Sequence, residues 1–165
     1  MRVKTLVLAG LVLWGWSTVS VFAQELQLLP KNNLAVLIDT LPQGAAYCLV
    51  DESSLDAAVR LPLERYGFRA NSSLLDATGF LYVSTSLLQF QSEASNRPFE
   101  CAIHVSLELK RTVRIPSGTL IYDASVWRKG FLLTGMPRDM GREVRNGVEE
   151  LTEEWIAKWL IDNPQ

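Results

Sequence analysis

The residues able to do chemistry in this chain are few, and their spacing argues against most reactions. Cys48 and Cys101 are its two cysteines, and His104 is its single imidazole. Two thiols and one imidazole do not close a zinc site without carboxylates, and no CxxC or HxxxH spacing is present. Cys101 and His104 stand three residues apart in a segment of strand pattern. They therefore point to opposite faces and do not form a nucleophile–base pair, which needs hydrogen-bond reach. His104 reads as a solvated strand histidine.

Carboxylates occur at Asp39, Asp51, Glu52, Asp56, Asp76 and Asp123, with an acidic run at Glu149, Glu150, Glu153 and Glu154. Glycoside hydrolysis needs two carboxyls at a defined separation across a cleft, and sequence alone brings no two of these together. There is no GxSxG, GxGxxG or phosphate-loop spacing. The residues name no catalytic group, no cofactor site and no metal site. The one cluster that suggests binding is basic and aromatic: Lys110, Arg111, Arg114, Trp127 and Arg128. Its plain reading is a solvated strand end. Its sharper reading is a patch for an acidic partner or a membrane surface, with Trp127 as an exposed aromatic beside Arg128.

The compartment follows from the first residues. Arg2 and Lys4 precede an uncharged apolar run from Leu6 to Trp16, and Val21-Phe22-Ala23 offers small residues for cleavage. This is the pattern of a secretory signal peptide over residues 1–23, and the run is too short to span a bilayer. The expected mature chain, 24–165, is a single domain with 14 basic and 18 acidic residues. That balance gives no footprint for nucleic acid, and no integral membrane segment remains after cleavage. In an oxidising compartment an even cysteine count favours a Cys48–Cys101 disulfide, although a buried Cys101 also fits as a small hydrophobe.

Leu34–Leu41 reads as a buried strand and Asp51–Tyr66 as a helix with Leu55, Val59, Leu63 and Tyr66 on one stripe. Ser53 and Asp56 suggest a capping box, and Pro62 a kink or an early stop. Ser72–Ala77 suggests a short strand, and Phe80–Phe90 is a clear one. From Phe99 to Val113 the odd positions are mostly apolar and the even ones mostly polar, which predicts a strand with one dry and one wet face. Thr119–Arg128 is a further strand, with Leu120, Tyr122, Ala124 and Val126 expected on one face. Gly130–Gly135 is ambiguous. Pro137 opens the last element, and Arg142–Leu160 is helical, with Val144, Val148, Leu151, Trp155 and Trp159 inward and its glutamates outward. The expected fold is α+β: strand, helix, three-strand antiparallel meander, helix, with both helices on one face of the sheet.

The segments LAVLIDTL, ERYGF, FLYVSTSLLQF, FECAIHVSLELKRTV, GTLIYDASVW and ELTEEWIAKWL, in that order, resemble the auxiliary component family of ABC-type transporters in the bacterial envelope. Those proteins are usually lipoproteins, whereas this chain has no cysteine near the expected cut. The resemblance implies a non-enzymatic periplasmic adaptor. The leading expectation is an exported periplasmic or secreted accessory protein acting through contacts with another envelope protein, with a possible link to transport. The alternatives are a small secreted hydrolase or inhibitor with a carboxylate-lined cleft, and a carrier of a small apolar ligand between helices and sheet.

Overall fold

In the computed structural model, residues 31–71, 77–91, 98–114 and 117–164 are described. The expected signal peptide lies outside them. The strands are β1 (Leu34–Ile38), β2 (Ala70–Asn71), β3 (Gly79–Gln91), β4 (Pro98–Arg114) and β5 (Leu120–Gly135). They form one sheet in the order β2-β1-β3-β4-β5. Strands β3, β4 and β5 are the antiparallel meander that the sequence predicts. Strand β1 runs parallel to both β2 and β3. Parallel neighbours require a crossover, and helix α1 (Glu52–Arg65) lies within it. Of the short strand expected at 72–77, residues 72–76 lie outside the described ones.

Alternation decides which face is covered. Leu81 and Val83 on β3 stand opposite Leu109 and Leu107 on β4. These four, with Val105, are fully buried. Helix α2 (Pro137–Asp162) lies on this side, its stripe of Met140, Val144, Val148, Leu151, Trp155, Ile156 and Trp159 sharing one core with them. Trp155 is fully enclosed. Phe68, just past α1, meets the Trp155 ring at 5.4 Å and the Trp159 ring edge-on at 5.0 Å. Lys31 lies over Phe68 and Trp159. Truncating a buried aromatic of this kind costs about 3–5 kcal/mol.

A 3-10 turn (Ala45–Cys48) is tied to the same core by the Cys48–Cys101 disulfide, whose Cα atoms stand 6.3 Å apart. A bridge across 53 residues constrains the unfolded chain by about 4 kcal/mol in the chain-entropy account. Gln89, opposite Cys101 on β3, donates to the Gly44 carbonyl at 2.8 Å. Leu49, the next residue after Cys48, is left-handed at φ 55°. Helix α2 passes so close that a Cβ on Gly141 would stand 2.0 Å from the Leu49 carbonyl oxygen.

Several local expectations are corrected. The cap of α1 is Asp51, which accepts from the Ser54 amide at 2.8 Å and from the hydroxyls of Ser53 and Ser54. Asp56 instead pairs with Arg60 at 2.7 Å. The Ser53 hydroxyl, followed by the Ser54 donors, holds the Asp51 carboxyl below its ordinary range. Helix α1 does not stop at Pro62 but continues to Arg65, with the proline ring buried in the core-facing stripe. Strand β1 ends at Ile38, β5 continues through the ambiguous segment to Gly135, and α2 starts at Pro137. The register of β5 shifts twice, so Leu120, Tyr122, Ala124 and Val126 do not keep one alternation. Val126 is the extra residue between Trp127, opposite Leu109, and Ser125, opposite Lys110, while Asp123 takes φ 55° at the second shift.

Gly141→Ala is expected to destabilise the protein by about 1–3 kcal/mol through overpacking against backbone, although alanine is worth about 1 kcal/mol more than glycine in a helix. Urea denaturation checks this, and a stability gain would show that the turn gives way freely.

Candidate interaction surface

The other face of the sheet carries the even positions of β3 and β4, and no described helix packs on it. The cross-strand register turns it into rows. Tyr82, Glu108 and Arg128 form one row across β3, β4 and β5. Ser84, Ser106 and Gly130 form the next, followed by Ser86, His104 and Leu132, then Leu88, Ala102 and Thr134. Phe90 stands opposite Glu100 beyond them. The face therefore grades from charged at one end, through hydroxyls, to apolar at the other.

At the charged end Glu108 is only 8% exposed. Arg128 Nε lies 3.2 Å from its Oε1, and Lys110 Nζ lies 4.0 Å from its Oε2. The Lys110 ammonium also sits 4.0 Å from the Tyr82 ring centroid, a cation–π distance. Tyr82 also interacts electrostatically with Asp39, which follows β1. In the middle, the Ser84 and Ser106 hydroxyls are 2.8 Å apart. A Cβ on Gly130 would meet the Val105 carbonyl at 2.6 Å and His104 Nε2 at 3.2 Å, so a side chain there would force the β4 backbone to shift. At the apolar end Leu88 is 67% exposed, Leu132 66% and Phe90 45%. Large apolar side chains gathered on an uncovered sheet face are the usual mark of a binding surface.

The five residues of the basic and aromatic cluster do not share one surface. Lys110 and Arg128 lie on the open face, on either side of Glu108. Arg111, the next residue after Lys110 on the strand, falls on the opposite side, at the register position of Ala124. Arg114 pairs through its backbone with Leu120, and its side chain lies outside the description. Trp127 is not an exposed aromatic: opposite Leu109, it is half-buried and packs against the core. The shift at Val126 returns it to the helix side.

Sequence reasoning named Asp39 only among scattered carboxylates and passed over Tyr82, Leu88 and Phe90. The signal for the last two was present, because Phe80–Phe90 is apolar at both parities and so has more greasy positions than one covered face can bury. Among the described residues no group of three or more His, Cys, Asp or Glu gathers as for a metal. Carboxylates do line one groove, of about 350 Å³ between β5 and α2, where Glu143, Glu150 and Glu154 stand over Phe131, Leu133 and Leu151. All three are exposed on the helix surface, and Glu154 pairs with Lys129 and Glu143 with Arg142.

Interaction with the Asp39 carboxylate, then burial, then the charges of Asp39 and Glu108 raise the Tyr82 phenol above its ordinary value of 10.0. The folded state thus favours the neutral phenol. Its contribution to stability is complete below pH ~10 and is lost as pH rises through the folded value, because the unfolded chain releases that proton first. Asp39→Asn is expected to bring the Tyr82 transition back towards pH ~10 in an ultraviolet phenolate titration. An unchanged transition would remove Asp39 from the network.

No protein-family model matches the chain, and no curated protein matches it. Among solved structures, a minor lipoprotein from Acinetobacter baumannii is similar over 80% of this chain and 90% of its own, at 10% identity and a TM-score of 0.42. Rare lipoprotein B from Shewanella oneidensis is similar over 77% of this chain and 89% of its own, at 14% identity and a TM-score of 0.31. Both neighbours are lipoproteins by name, and likeness this loose carries no conclusion about what this chain does.

Proposed function

We propose that this chain is an exported accessory protein of the bacterial envelope that works by holding another envelope protein against the open face of its sheet. The observation that carries the reading is the set of Leu88, Phe90 and Leu132 on an uncovered face, beside the charged row of Tyr82, Glu108 and Arg128. Apolar anchors next to a polar, partly desolvated rim are the composition of a protein-binding surface. The secretory pattern of the first residues and the Cys48–Cys101 bridge support an oxidising compartment. A role beside a transporter is the finer form of the same reading and rests on the resemblance of the segments alone.

A photo-crosslinking residue at Leu88 is expected, in the native host, to give a discrete adduct with one envelope protein. The same residue at Ala157, on the exposed side of α2, should not. An absent adduct at Leu88, or equal yields at the two positions, would contradict the proposal.

A further inference from the structure

Strand β5 ends the sheet, and among the described residues nothing pairs with its outer edge. An edge strand presents alternate N–H and C=O groups outward and is a template for another strand. Proteins commonly blunt such edges with bulges, and β5 has two register shifts, both in its first half, around Asp123 and Val126. From Trp127 to Gly135 the pairing with β4 is unbroken. The outer edge of this segment therefore stays regular where the first half is irregular.

The helix above it supplies a second feature. Helix α2 carries its acidic residues on two flanks, not on one outward face. On one flank, Glu149 and Glu153 reach Arg65 of α1 at 3.6 and 3.0 Å. On the other, Glu143, Glu150 and Glu154 line the groove over Phe131 and Leu133, with Gly147 and Asn146 between them. The groove lining contains no basic residue. Lys129 reaches Glu154 from β5, and Glu150 makes no ion pair among the described residues. A strand added to β5 would lie ~4.8 Å further out. Alternate side chains of that strand would rise on the helix side towards this acidic, apolar-floored groove.

We infer that the outer edge of Trp127–Gly135 takes an extended segment of a partner protein as a sixth strand, one that presents basic side chains to the Glu143–Glu150–Glu154 groove. Backbone pairing supplies the affinity, and the charge on alternate residues supplies the selection. The inference rests on the reading of this chain as a protein-binding module but uses a different surface. Leu88 lies on β3, two strands in from this edge, so the crosslinking result there is independent of what binds β5.

The test uses the full mature chain and a short, capped, fluorescent peptide of alternating lysine and valine. Two further versions carry N-methyl groups on every second residue, one in each phase. The expected result is saturable binding of the parent peptide and of one methylated phase, with at least tenfold weaker binding of the other phase. Glu150→Gln, a change on an exposed helix position, is expected to weaken lysine-peptide binding severalfold, and replacing lysine by glutamate should abolish it. Several results would overturn the inference: no saturable binding, equal loss with both methylation phases, or indifference to Glu150→Gln. A dimer in sedimentation that the peptide does not dissociate would assign the edge to a second copy of the chain and would equally overturn it.

Discussion

The burial of one face of β4 beneath α2 is the constraint from which the rest of this structure follows. The odd residues from Cys101 to Leu109 are all essentially out of water, and they can be so only if an apolar helix lies along them. Trp155 and Trp159 on α2, clasped by Phe68, fill that interface. The disulfide joins the same strand to the turn that α2 passes at Gly141. Sheet, turn and helix thus hold one another in register around β4.

The same arrangement decides what remains available for function. Helices α1 and α2 share one side of the sheet and are linked there through Arg65. The opposite side is left to its own side chains, which supply a charged row, a hydroxyl row and an apolar end. Glu108 shows the physical logic of that face. A nearly buried carboxylate is costly unless compensated, and Arg128 and Lys110 provide the compensation. The binding reading is strongest at the other end, where Leu88, Phe90 and Leu132 have no comparable partners and yet project into water.

Much of this was legible in the residues, and the remainder was hidden for identifiable reasons. Period two in β4 and the 3.6-residue stripe of α2 are strong, long signals, and they gave the covered face, the meander and the α+β class. The even cysteine count and the expected compartment favour the Cys48–Cys101 bridge over a lone buried Cys101, and the bridge is present. The position of Trp127 was misread because a single extra residue at Val126 inverts the parity of everything beyond it, and a bulge has no reliable one-residue signature. The cluster of Lys110, Arg111, Arg114, Trp127 and Arg128 was assembled from nearness in sequence, whereas adjacent strand residues face opposite ways. Pro62 signals an end that does not come at that point, because its ring is buried in the last turn of α1. The parallel placement of β1 beside β3 was also out of reach, since strand direction depends on a crossover and not on any residue in the strand.

Hydroxyl-radical footprinting of the purified mature protein, read residue by residue in a mass spectrometer, tests the one-sided sheet most directly. Heavy oxidation of Leu88, Phe90 and Leu132, with Leu107, Leu109 and Trp155 protected, is the predicted result. Protection of Leu88, Phe90 and Leu132 to the same degree as Leu107 and Leu109 would mean that both faces are covered and would contradict the account.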